Sequence, residues 1–239
     1  MHRFFGGDLR LASIWRSIWE ASDALQADDL AGHSLRVSNC SERLAELSGV
    51  DRGRSETIGR AALFHDAGKL LVPSSVILKP EKLTDEERSL MQSHSKHGWD
   101  LLAGPDTLLR RAARNMALSH HERFDGAGYP NGLDGGKIPF EARIVALADV
   151  YDALRSKRNY KPGLTHTEAC DAIAGRHDQD KAEQHFDPAL QKVFLENDGE
   201  IKAAWESAAL SNLAKRMAPH SRAEQTRTTV RDAAPARKK

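Results

Sequence analysis

The chain has 239 residues, 40% of them hydrophobic and 29% charged, with a formal net charge of +1 and two cysteines. This is the balance of an ordinary globular protein with a sizeable core, and two cysteines exclude a disulfide framework. No run nears the ~18 apolar residues of a membrane span, and the start, from Met1 to Asp8, lacks a secretory signal, so a cytoplasmic protein is expected.

From the N-terminus, Leu11, Trp15, Ile18 and Leu25 recur at steps of three, four and seven, which places one apolar stripe on a first helix. The same periodicity predicts helices over 55–67, 84–102, 108–122, 141–154 and 165–174. Two of these open with capping boxes, Thr84 with Glu87 and Thr165 with Glu168. In each, a hydroxyl and a carboxylate three residues on satisfy amides that the first turn leaves unpaired. No stretch alternates with period two, and no internal repeat is visible, so the fold is expected to be all-α. A glycine-rich loop over 125–136 interrupts the pattern, and a loop of that length inside a helical domain is usually functional. From 221 to 239 there are six basic residues against two acidic ones. The segment 218–239 is read as a basic, solvated and disordered tail, with contact to nucleic acid or an acidic partner as the alternative; no DNA-binding element is evident in the chain. Cys40 and Cys170 fall in helical stretches without metal-type spacing and are expected to pack.

Eleven histidines against two cysteines point to a nitrogen and oxygen metal site, not a thiolate one. Six of the histidines, His33, His65, His94, His97, His120 and His121, lie in one stretch of the chain. His65-Asp66 closes an apolar helix and leads into Ala67-Gly68-Lys69. An imidazole and a carboxylate at one helix end can share an ion, and the second carboxylate oxygen can reach another. His120-His121-Glu122 closes a second helix and leads into Asp125-Gly126-Ala127-Gly128-Tyr129-Pro130.

These two segments together resemble the HD-GYP family of bacterial phosphodiesterases, over roughly residues 23–194. The resemblance implies a helical bundle of the HD-domain type with a Gly-Tyr-Pro loop beside a metal site. It divides the chain into an N-terminal helix (1–22), a catalytic domain (23–217) and the basic tail (218–239). His33, with Arg36 one helical turn on, matches the first family histidine. His94, four residues before Gly98, matches the single histidine between the main motifs, and Asp149 matches the last ligand. The implied metal ligands are His33, His65, Asp66, His94, His120, His121 and Asp149, with Asp66 as the bridge between two divalent ions. Iron or manganese suits this donor set first, with zinc or nickel in competition. Some family members carry a glutamate one turn before the first histidine, linked to a third ion. Asp29 stands there in this chain, one methylene shorter.

Two neighbouring cations can activate a shared water and neutralise the oxygens of a phosphodiester. The resemblance makes Asp66 and Lys69 catalytic, with Lys69 near the scissile phosphate. Arg158-Asn159-Tyr160-Lys161 resembles a family Arg-Pro-Tyr-Lys segment, with Asn159 in place of proline, and implies that Arg158 and Lys161 hold the substrate. Tyr129 is expected to wall the site. His97 is read as a neighbour of the site, His166 as part of the second capping box, and His185 as structural.

The expected activity is hydrolysis of cyclic di-GMP to linear pGpG, which is either the end product or cut onward to GMP, with cyclic GMP-AMP as a related substrate. The rival readings are an HD-type phosphohydrolase acting on another nucleotide, and a weakly catalytic signalling module. The stripe from Leu11 to Leu25 is expected to form a homodimer seam. About twenty residues precede the matching region, so no receiver or sensor domain is expected ahead of it.

Overall fold

The computed structural model describes residues 5–25, 30–156, 163–176 and 185–210. Among them are eleven α-helices and, as expected, no strand. They are α1 (Leu9–Leu25), α2 (Leu30–Leu47), α3 (Arg52–Ala62), α4 (Ser74–Ile77), α5 (Asp85–Gln92) and α6 (His94–Leu101), followed by α7 (Leu108–Ser119), α8 (Phe140–Arg155), α9 (His166–Ile173), α10 (Pro188–Glu196) and α11 (Asp198–Leu210). No helix among the described residues is long and apolar enough to cross a membrane. The basic tail lies outside the described residues.

Local chemistry sets most boundaries. Asp51 and Thr107 cap α3 and α7 by accepting from the amides of Arg54 and Arg110. Both expected capping boxes form, at α5 and α9. α10 starts with Asp187 as its cap and Pro188 in the first turn, where a missing N–H costs nothing.

Three helices end differently from the periodicity. The helix read over 55–67 stops at Ala62, because tight bonds take over: Phe64 N to Ala61 O at 3.0 Å, Ala67 N to Phe64 O at 3.0 Å and Lys69 N to Asp66 O at 2.9 Å. His65 and Asp66 therefore ride on a turn that leads into a 3-10 helix, Ala67–Leu71. The helix read over 84–102 breaks at Ser93 into α5 and α6. There Ser93 Oγ donates to Leu90 O at 2.6 Å and His94 Nδ1 lies 2.6 Å from Met91 O, local bonds that compete with the helical ladder. The helix read over 108–122 ends at Ser119, releasing His120 and His121 from the helix.

The core lies where α2, α3, α7 and α8 meet. α8 buries Ala142, Ile144, Val145, Leu147, Ala148, Tyr151 and Asp152, so more than half of its circumference is covered, while Val150 on the remaining face is exposed. α2 and α3 approach closely at Gly59, whose carbonyl accepts from Ser38 Oγ at 2.7 Å. A Cβ at Gly59 would stand 2.8 Å from that of Glu42.

The stripe from Leu11 to Leu25, expected to form a homodimer seam, packs within this chain at its described residues. Leu11, Trp15 and Ile18 are fully buried within this one chain, and the Trp15 ring meets Phe64 edge-on at 6.4 Å. An amphipathic stripe needs an apolar partner, and the turn before His65 supplies it. Both cysteines are free and buried.

Candidate metal centre

Three histidines sit at helix ends, each with its ring against a carbonyl of the turn before it. His65 Nδ1 lies 2.8 Å from Ala62 O, His94 Nδ1 2.6 Å from Met91 O, and His120 Nδ1 2.8 Å from Met116 O. A carbonyl only accepts, so each Nδ1 carries the proton and each Nε2 presents a lone pair. Burial pushes the pKa of His65 and of His94 down to about 4, so both rings stay neutral near pH 7. Burial also lowers His121, helped by the charge His120 and His94 would carry.

The lone pairs converge on Asp66. Its Oδ1 lies 3.4 Å from His94 Nε2 and 3.7 Å from His120 Nε2. Its Oδ2 lies 3.5 Å from His65 Nε2 and 3.6 Å from His33 Nε2. Asp149 Oδ1 completes the second group, 3.3 Å from His33 Nε2 and 3.8 Å from His65 Nε2. His121 joins the first group, with ligand atoms of Asp66, His94, His120 and His121 all within 4.8 Å of one another. The expected ligands are thus brought together as two groups that share one carboxylate. Burial alone would raise the pKa of Asp66, but Lys69 and the imidazoles outweigh it and hold the group well below the carboxylate range.

These residues fit divalent cations. His33 Nε2 and His65 Nε2 face each other at 3.1 Å, and His94 Nε2 and His120 Nε2 at 3.3 Å. Opposed lone pairs at that range repel unless a cation or proton lies between them. Bonds of about 2.0–2.1 Å to a shared ion place neighbouring ligands roughly 3–3.4 Å apart, the spacing seen here. The His33 corner favours positive charge. Burial would lower its pKa, but Asp152, Asp66 and Asp149 together push it up to about 10.

Sequence reasoning missed Asp152. This buried carboxylate accepts from His33 at 2.7 Å, from Arg36 Nε at 2.6 Å, from Trp205 Nε1 at 2.6 Å and from Ser156 Oγ at 3.2 Å. It fixes the His33 ring as the carbonyls fix the other three. The available signal was its place three residues after Asp149, on the same face of α8.

Lys69 Nζ bonds Asp66 Oδ2 at 2.6 Å and is partly exposed, so its first contact is with the shared carboxylate. Tyr129 stacks on the His121 ring at 4.7 Å and 25°. The loop that carries it is pinned to the end of α7: Tyr129 N donates to His121 O at 3.1 Å, and Glu122 accepts from Asn131 N at 2.8 Å and Leu133 N at 2.9 Å. Two motif glycines are steric necessities. A Cβ on Gly68 would stand 1.9 Å from His94 O, and one on Gly128 would stand 2.3 Å from Arg123 N. Gly68 lets the His-Asp turn lie against α6, and Gly128 lets the loop fold back on His121. Among the described residues, the His97 ring bonds its neighbour Ser93, at 3.4 Å. Asp29, Arg158 and Lys161 lie outside the described residues.

The family model of the HD domain matches residues 22–190. A 3′3′-cGAMP-specific phosphodiesterase of Vibrio cholerae is 36% identical over 188 residues, 78% of this chain and 35% of that protein. The cyclic di-GMP phosphodiesterase response regulator RpfG of Xanthomonas campestris is 47% identical over 130 residues, 54% of this chain and 34% of that protein. This chain therefore spans about a third of the length of these curated relatives. Among solved structures, a cyclic GMP-AMP phosphodiesterase of V. cholerae, V-cGAP3, shares the fold with a TM-score of 0.57 at 19% identity, covering 87% of this chain and 54% of that one.

Proposed function

Because this chain belongs to the HD domain family, and within it to the HD-GYP type, we propose that it is a metal-dependent phosphodiesterase hydrolysing cyclic di-GMP to pGpG, which is either released or cut onward to GMP. One observation carries this reading: the two oxygens of Asp66 face two separate groups of imidazole lone pairs. His33, His65 and Asp149 would hold one cation with Asp66 Oδ2, and His94, His120 and His121 the other with Oδ1. When bound, the pair supplies Lewis-acid polarisation of a phosphate and an activated water. Iron or manganese is proposed, with zinc or nickel as competitors.

The remaining roles fall to the chain itself. Lys69 keeps Asp66 ionised and adds positive charge at the open side, where charge develops on the phosphate. Tyr129, held flat on His121, forms one wall for the dinucleotide. Arg158 and Lys161 are proposed to meet its phosphates or guanine. 3′3′-cGAMP is the rival substrate, favoured by the V. cholerae relative that matches 78% of this chain.

The test is anaerobic purification with metal analysis, then chromatography of products from a panel of cyclic dinucleotides. Metal retention with turnover of cyclic di-GMP is expected, and Asp66→Ala should lose both. A metal-loaded chain that cleaves no cyclic dinucleotide would overturn the reading. So would an Asp66→Ala variant as active as the unmodified chain.

A further inference from the structure

Away from the centre, α9 and α11 bring three further ligand types together. His166 opens α9, and Cys170 lies one turn on along the same face. Asp198 opens α11. Their ligand atoms lie within 4.8 Å of one another. We propose that His166 Nε2, Cys170 Sγ and the Asp198 carboxylate form a second metal site, for a thiophilic divalent cation such as zinc.

The spacing supports a cation over hydrogen bonds alone. His166 Nε2 is 3.5 Å from Asp198 Oδ2, and Cys170 Sγ stands 3.7 Å from Nδ1 and 3.8 Å from Nε2 of the same ring. The first distance is at the limit for a nitrogen–oxygen hydrogen bond. It is near the roughly 3.3 Å edge of a tetrahedron about a cation with bonds of about 2.0 Å, and Cys170, one helical turn from the ring, brings its sulfur to the same ion by rotation about its Cα–Cβ bond. The ring is also oriented for the task. Its Nδ1 lies 2.9 Å from Tyr151 Oη, and that oxygen accepts from Arg155 at 3.3 Å. Nδ1 can donate to the tyrosine oxygen and leave Nε2 free to bind, the outer partner that metal-binding histidines usually have.

The charges are compatible. One thiolate and one carboxylate neutralise a divalent ion, against the nearby positive charges of Arg155 and Lys202. Arg155 is itself placed over the Trp205 ring at 4.7 Å. Burial raises the Cys170 thiol to about 11, so a bound cation must displace a proton there. The ion would staple α9 to α11, the helix that carries Trp205 to Asp152.

The main centre contains no sulfur, so a thiolate-to-metal charge-transfer band reports on this site alone. The experiment is titration of the full chain with Cd2+, followed in the ultraviolet. The expected result is a band from one thiolate per chain that Cys170→Ser abolishes and Cys40→Ser leaves unchanged. Cys40 sits apart, its thiol 3.8 Å from Ile201 O. His166→Gln and Asp198→Asn should weaken binding more than the roughly 10–100-fold that loss of an outer partner costs. Asp198 is half exposed, so its variant keeps the test open should Cys170→Ser fold poorly. A chain without the band, a band that survives Cys170→Ser, or unchanged affinity in both His166→Gln and Asp198→Asn would overturn the proposal. None of these outcomes depends on phosphodiesterase activity.

Discussion

Replacing Asp152 by asparagine should damage the metal centre without touching any ligand atom. The carboxylate is 1% exposed and takes hydrogen bonds from His33, both ends of the Arg36 fork, Trp205 and Ser156. An amide has one acceptor oxygen, so at least one donor loses its partner, and Arg36 loses its counter-charge. Breaking a buried ion pair on one side costs about 3–5 kcal/mol, which should appear as a lower denaturation midpoint. The effect on metal should follow from the His33 ring, which loses the acceptor for Nδ1–H and the fixed tautomer. Loss of such an outer partner typically weakens metal binding about 10–100-fold, measurable by competition with a chelator of known affinity. Trp205→Phe is the control: it deletes one donor, should cost about 1 kcal/mol of stability, and should leave metal affinity near that of the unmodified chain. If Asp152→Asn bound metal as tightly as the unmodified chain, the assignment of Asp152 as the orienter of His33 would be refuted.

Gly68→Ala should destabilise the fold by about 3 kcal/mol or more, since its new methyl would stand 1.9 Å from a backbone carbonyl that cannot yield easily; thermal melting checks this, and a neutral result would show that the turn moves freely against α6. Glu122→Gln replaces an oxygen acceptor of two loop amides with an NH2 group, and one buried amide left unpaired costs about 1–3 kcal/mol. Because those amides hold the Tyr129 loop, the expected change is a higher KM with little loss of bound metal, read from steady-state kinetics and metal analysis. Chelation should abolish turnover and lower the melting temperature, since a ligand bound at 100 times its dissociation constant contributes about 2.7 kcal/mol; manganese or iron should restore both, and full activity after complete metal removal would refute the two-cation reading.

The residues of the candidate centre were legible as a group because their neighbours in sequence betray them. His65-Asp66 and His120-His121 each follow an apolar helical run, and Gly68 and Gly128 follow at fixed spacing for steric reasons. The helical class was legible for the same reason that the capping boxes were, as each rests on interactions within a few residues. What could not be read depends on contacts between distant segments. Asp152 looks like one more polar residue on a helix until Trp205, 53 residues later, is placed against it. The stripe on α1 shows that something apolar must cover it but not that Phe64 belongs to the same chain. The break at Ser93 was hidden because the apolar period continues across it, while the side-chain bonds that interrupt the ladder leave no periodic trace. His166 was absorbed into a capping box, since Asp198 is far away in sequence.

The way the four imidazoles are anchored has an evolutionary consequence. His65, His94 and His120 hang from main-chain oxygens, which every amino acid carries, so no substitution at Ala62, Met91 or Met116 deletes those anchors. His33 hangs from a side chain that a single codon change can remove. Drift among descendants of this chain should therefore erode the group around Asp149 first and spare the one around His94, leaving lineages that keep half of the arrangement.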